Sequence, residues 1–226
     1  TYASSFCPDN NPPIINGPFS YNVCEGNELC FNITSNDYAF VPPPPASTPP
    51  ADTTNMVWND GIPDASFYIL DTTAINKAGR FCWTPDYGDA SYLPYSFRIE
   101  VKDGHCNPGG RASRGFRVTV KKRATTTPTI TKTSGTKYTI NSAIDSSSFK
   151  GTPYYTWWLL DSARNVIADS LTAKFKSSGL YYSTRSKDTL HLNRNQTYII
   201  EHTINNAPSN CPQTYYDTIR VDSLLE

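Results

Sequence analysis

Methionine occurs once in this chain, histidine three times and glutamate five times, out of 226 residues. Two strong helix formers are therefore scarce, and no sustained 3.6-residue periodicity replaces them, which argues against a helical architecture. There is no C-x-x-C pair, so zinc-ribbon and thioredoxin-like readings fall away. G-x-S-x-G, H-E-x-x-H and Walker-type sequences are missing as well, leaving no local motif for a nucleophile, a catalytic metal or a phosphate cradle. No apolar run approaches the roughly 20 residues of a membrane-spanning helix. Net charge is also lacking, because 20 Lys and Arg cancel 20 Asp and Glu. With no basic stripe along the sequence, nucleic acid is not an expected partner.

What is abundant favours strands: 15 Tyr, together with many Thr and Ser. Tyr95, Phe97, Ile99 and Val101 alternate with Ser96, Arg98, Glu100 and Lys102. A period of two places one face on a core and the other in water. Beyond Asp103-Gly104 and Gly109-Gly110, the residues Phe116, Val118 and Val120 alternate in the same way, so the pair reads as an antiparallel hairpin. Upstream, Phe81-Cys82-Trp83 forms a short strand between Gly79 and Pro85. Further strands are expected at Ile14–Cys24, Cys30–Thr34, Met56–Trp58 and Phe67–Leu70. The VPPPPASTPP stretch from Val41 to Pro50 is extended and exposed, as a stiff connector or a docking segment for a proline-recognition module.

The phrases WNDGIPDASF, GRFCWTP and YSFRIEVKDGHCNPGG resemble cadherin-like repeats of large secreted surface proteins of Bacteroidota, gliding-motility adhesins among them. The resemblance runs from Asn11 to Lys122 and implies an immunoglobulin-like sandwich exported by type IX secretion. YYTWWLLD, SSGLYY, TYIIEHTINN and CPQTYYDTIRV, in that order, resemble a PKD-like domain over Pro128 to Asp222, although the usual aspartate-glycine turn after Trp157 is missing. The expected architecture is all-β, two tandem immunoglobulin-like β-sandwiches of ordinary domain size. Residues 1–13 read as the tail of a preceding module, which makes the chain an excised piece. Residues 14–122 form the cadherin-like sandwich, 123–127 a polar linker, and 128–226 the PKD-like sandwich. Strands in the second are expected at Lys137–Ile144, Tyr154–Leu160, Leu171–Phe175, Leu190–Leu192, Thr197–Ile204 and Tyr215–Val221.

Six cysteines suit an oxidising, extracellular setting. Cys30 precedes Phe31, and Cys82 lies between Phe81 and Trp83, so both are out of phase with core aromatics. If their strands neighbour each other, as second and fifth strands do in this fold, both thiols leave the same outer face and pair. Cys24–Cys30 across a turn is the alternative. Cys7 and Cys106 are expected at one end of the first domain, where they can pair; the pattern assigns no mate to Cys24 or Cys211.

Cadherin-like repeats hold calcium with aspartates at domain ends, and the resemblance places Asp37, Asp86 and Asp103 at such positions. The acidic pattern around them is sparse, and by topology Asp86 lies at the opposite end from Asp37 and Asp103, so the three do not form one shared site. Asx-turn capping is the ordinary use of such residues, and no cofactor is expected. His202 shares a phase with Tyr198, Ile200 and Ile204, and Asp217 shares one with Tyr215 and Ile219, which allows a buried His202–Asp217 contact, read as a structural pair rather than a catalytic dyad. Tyr155, Trp157 and Leu159 face inward, leaving Trp158 outside beside Thr156 and Leu160 as a candidate binding residue. Those neighbours do not continue an aromatic platform, so Trp158 is expected to cover a domain contact. Seven Asp-Ser/Thr triplets, Asp71-Thr72-Thr73 among them, resemble the O-glycosylation motif of Bacteroidota.

These readings favour a non-catalytic segment of a secreted, multi-domain surface adhesin, with neighbouring modules of the same chain, surface glycans or another surface protein as partners. Two other readings stand beside it. One is a carbohydrate-binding accessory segment of an exported polysaccharide-degrading enzyme; the other is a structural subunit of an outer-membrane or filament assembly.

Overall fold

The computed structural model describes residues 10–39, 44, 52–105, 109–144, 152–167, 173–207 and 210–222. Cys7 and Cys106, most of the proline-rich stretch, Ser170 and Ser223 lie outside the described residues. The chain divides into two compact units, Thr1–Lys121 and Lys122–Glu226. Among the described residues, every regular element is a strand.

The first unit contains β1 (Ile14–Asn16), β2 (Ser20–Cys24), β3 (Leu29–Asn36), β4 (Asn55–Trp58), β5 (Ser66–Ile69), β6 (Ala78–Trp83), β7 (Tyr95–Lys102) and β8 (Arg111–Lys121). They form two sheets, ordered β1-β3-β6-β5 and β2-β8-β7-β4. With the first strand split in two, this is the ABED and CFG order of an immunoglobulin-like sandwich. The split corrects the single strand expected at Ile14–Cys24. Gly17 takes a φ of 136° and Pro18 has no N–H to give a ladder, so the chain leaves one sheet and joins the other. Accordingly β1 pairs antiparallel with β3, whereas β2 pairs parallel with β8.

The alternating aromatics fill this core. Phe81 stacks on Phe97 at 4.4 Å between centroids, and Phe97 on Phe116 at 5.1 Å, joining the two sheets through parallel rings. Such contacts add about 0.5–1.5 kcal/mol each to the area they bury. Cys30 and Cys82 lie directly opposite each other on β3 and β6, with Cα atoms 4.2 Å apart, and are joined as a disulfide on the outer face. The Cys24–Cys30 alternative is thereby ruled out. Cys24 and Cys211 are both disulfide-bonded, and among the described residues no cysteine is free.

The second unit contains β9 (Thr126–Ser134), β10 (Lys137–Ile144), β11 (Thr152–Leu160), β12 (Lys174–Phe175), β13 (Tyr182–Ser183), β14 (Lys187–His191), β15 (Gln196–Ala207) and β16 (Gln213–Val221). Its sheets run β12-β14-β10-β9 and β13-β11-β15-β16, again a sandwich of two antiparallel layers. β9 begins inside the segment read as linker. β-Branched threonines suit a strand, and the buried Thr126 hydroxyl donates to the Ala143 carbonyl at 2.6 Å. Trp157, Leu159, Tyr198 and Ile200 meet Tyr138, Ile140, Phe175 and Leu190 in the core.

Candidate functional site

The outer face of the β13-β11-β15-β16 sheet presents the most distinctive group of side chains. Trp157 and Leu159 on β11 are fully buried, and Trp157 Nε1 donates to the Arg185 carbonyl at 2.8 Å. The alternation turns the half-buried Trp158 outward. Register then places Trp158 opposite Tyr182 on one side and Glu201 on the other, and Glu201 opposite Tyr216. Directly paired residues share a face, so Tyr182, Trp158, Glu201 and Tyr216 form one row across all four strands. The Trp158 ring lies 5.5 Å from Tyr182 and 5.8 Å from Tyr181, tilted by 34° and 33°. At the far end, the Arg164 guanidinium sits 5.0 Å above the Tyr216 ring. A hydrogen bond to the Glu201 carboxylate raises the Tyr216 phenol above its ordinary pKa.

This row adds what the reading of Thr156 and Leu160 alone did not contain. The along-strand neighbours of Trp158 are indeed poor, since Thr156 is small and Leu160 is not outward but buried at 4 % exposure. Leu160 bridges Val166, where the chain doubles back through a turn closed by the Asp161 carboxylate. The aromatic partners come from across the sheet. β13 is only two residues long, so no periodicity in SSGLYY could announce that Tyr182 lies beside Trp158.

At one end of the first unit, Asp37 and Asp103 approach each other, both largely buried. Asp103 Oδ1 accepts from the Gly110 amide at 2.8 Å and the His105 amide at 3.3 Å, while Oδ2 accepts from Asn10 at 2.9 Å. A Cβ at Gly110 would run into that carboxylate, so the close approach requires glycine. Asp37 Oδ2 accepts from the Asp52 amide at 2.8 Å, and its buried Oδ1 has no hydrogen-bond partner among the described residues. Burial, reinforced by the charges of Asp103 and Asp52, raises the Asp37 pKa. The Asp52 carboxylate lies 2.9 Å from His105. Exposed Asp86 follows β6, at the opposite end of the β3–β6 pair.

Calcium requires about 6–8 oxygen ligands. Here both Asp103 oxygens accept from N–H donors and Asp52 faces a histidine, so an ion would compete with these contacts, and Asp37 Oδ1 is the carboxylate oxygen without a partner among the described residues. Glu28 lies near Cys30 and Cys82, but those sulfurs are bonded to each other. Thermal melts with and without excess calcium are expected to agree within about 2 °C, because tight binding to the native state alone would raise stability by mass action. A larger shift that disappears in Asp103→Ala would show that the carboxylates rearrange around the ion.

His202 is buried at 1 % exposure and stacks on Trp157, with centroids 3.7 Å apart. Its Nδ1 lies 3.2 Å from the Thr156 carbonyl and its Nε2 2.9 Å from Ser142 Oγ. A carbonyl only accepts, so Nδ1 carries the hydrogen and Nε2 accepts from the serine. Asp217 does not join it. That residue is exposed on the edge strand, opposite Ile200, whereas His202 faces Tyr215. The histidine is neutral and structural, with its pKa lowered to about 4 by burial.

Of the Asp-Ser/Thr triplets, Thr53, Thr72, Ser162 and Thr218 are exposed. No helix among the described residues is long and apolar enough to cross a membrane. No protein-family model and no curated protein matches this sequence. Among solved structures, titin domains A168–A170 are 8 % identical, with 95 % of this chain and 68 % of that one covered, at a TM-score of 0.42. The SrpA adhesin of Streptococcus sanguinis is 15 % identical, with 96 % of each chain covered and a TM-score of 0.39. The protocadherin GammaB4 extracellular domain is 12 % identical, with 95 % of this chain and 34 % of that one covered, also at 0.39. Such scores carry nothing about ligand or activity, and the immunoglobulin-like assignment rests on the strand order above.

Proposed function

We propose that this chain is a non-catalytic segment of a secreted, multi-domain cell-surface adhesin, its sandwiches serving as spacer and contact modules in attachment or gliding. The row of Tyr182, Trp158, Glu201 and Tyr216 carries the reading. The Trp158 and Tyr182 rings beside the Glu201 carboxylate suit a sugar, whose C–H face packs on an aromatic and whose hydroxyls donate to an acceptor. The disulfides fit export to an oxidising exterior.

The same row favours a second reading, a carbohydrate-binding accessory segment of an exported polysaccharide-degrading enzyme. A glycan array probed with the 226-residue chain and with Trp158→Ala tests both. Binding that falls about tenfold or more in the variant, with unchanged melting, is the expected result. Preference for short surface glycans supports the adhesin, and preference for bulk structural polysaccharides supports the accessory segment. Absence of binding throughout, or binding indifferent to Trp158→Ala, overturns the assignment of the row.

A further inference from the structure

The opposite sheet of the second unit, β12-β14-β10-β9, gathers cations that are far apart in sequence. Lys174 on β12 lies opposite His191 on β14, which lies opposite Lys137 on β10. Two residues along each strand, the Lys176 amide donates to the Thr189 carbonyl, and Thr189 faces Thr139. Lys187 faces Asn141. Phe175, Leu190, Tyr138 and Ile140, which alternate with these residues, are buried, so the lysines stand on the outer face. All four are exposed, and none forms an ion pair among the described residues.

Opposing charge is nearly absent from this sheet. Asp188 is its one acidic residue, and that side chain is buried, accepting from Ser183 Oγ and the Thr189 amide at 2.7 Å each and from the Ser177 amide and hydroxyl. Exposed Arg185 joins Lys176 and Lys187 around a shallow depression of about 360 Å³, three cations against the one carboxylate of Asp188 in its lining. The zero charge of the whole chain conceals this, because Lys122–Glu226 holds 12 Lys and Arg against 8 Asp and Glu.

We infer that this lysine-bearing sheet face binds an acidic polysaccharide, a site separate from the Trp158 row. Strands about 4.8 Å apart and alternate residues about 7 Å apart spread the ammonium groups over a flat grid, suited to an extended polymer with regularly spaced anions. Thr129, Thr131, Thr139, Thr189 and Asn141 place hydroxyl and amide groups between the charges, where sugar hydroxyls need donors and acceptors. Single-stranded nucleic acid fits less well, since the outward positions of these strands carry no aromatic platform for stacking bases.

The test is retention of the full chain on immobilised polygalacturonate and dextran sulfate, with neutral dextran and single-stranded DNA alongside. Binding to either acidic polysaccharide at low salt, release on raising salt and no retention on dextran are expected. Replacing Lys174, Lys176 and Lys187 together by Gln should weaken that binding about tenfold or more. A charge-matched control, Arg98→Gln with Arg114→Gln and Arg117→Gln in the first unit, should not weaken it, and Trp158→Ala should leave it unchanged. Failure to bind either acidic polysaccharide, equal loss in the arginine control, equal or tighter binding to DNA, or salt-sensitive self-association that accounts for the retention would overturn the inference. Because the readout does not depend on Trp158, its failure is distinguishable from failure of the aromatic row.

Discussion

Taking the protein from pH 7 to pH 4 is expected to remove about 3 kcal/mol from the stability of the second domain through His202 alone. The sign follows from burial. The unfolded chain protonates this imidazole near its ordinary 6.5, whereas the folded chain resists until about 4. Protons therefore bind the unfolded state more readily. The stabilising contribution is full above about pH 6.5 and is lost progressively as pH falls through about 4. Charging the ring would place a cation against Trp157 in the core, with a carbonyl and a serine as its hydrogen-bond partners and no carboxylate among them. Urea unfolding at several pH values, followed with a probe specific to the second domain because Trp83 in the first is buried as well as Trp157, measures the effect. His202→Phe keeps the ring stack and removes the titration, so its stability should vary much less across the same window. Equal pH dependence in wild type and variant would defeat the assignment.

Replacing Cys30 and Cys82 together by Ala is expected to lower the stability of the first domain by about 4 kcal/mol. The estimate follows from a sequence separation of 52 residues and the chain entropy that closing such a loop removes from the unfolded state. Joining adjacent strands on the outer face, the bridge takes little part in core packing, so the aromatic stack should survive its loss and the spectrum of the folded state should change little. Unfolding must be followed with a probe specific to the first domain, because two units need not unfold together. Non-reducing peptide mapping should recover Cys30 joined to Cys82. A Cys24–Cys30 peptide, or a double variant as stable as wild type, would contradict the result.

Alternation along the chain already contained much of the fold. In β7 and β8, burial follows the period-two pattern from Phe97 to Val101 and from Phe116 to Val120, because the pleat forces each apolar residue onto the same side as the next but one. The same phase argument placed Cys30 and Cys82 outside, and correctly directed His202 inward and Trp158 outward. Each of these is a local property, decided by a residue and its immediate neighbours.

Whatever depended on which strand lies beside which was decided by tertiary structure. The split at Gly17-Pro18 transfers β2 to a second sheet, a choice made by the free edge of β8 rather than by the residues of β2. β13 has two residues and no period, yet it supplies the ring beside Trp158. Asp217 had the right phase to meet His202, but the β15–β16 register set it opposite Ile200, and the imidazole turned to Ser142 and Thr156 instead. The lysine face is the clearest case. Lys137, Lys174, Lys176 and Lys187 form no run in the chain, and only the order β12-β14-β10-β9 brings them together. The alternation of side chains is written in the sequence because burial acts residue by residue; the composition of a surface across strands is not, because it depends on pairings between distant segments.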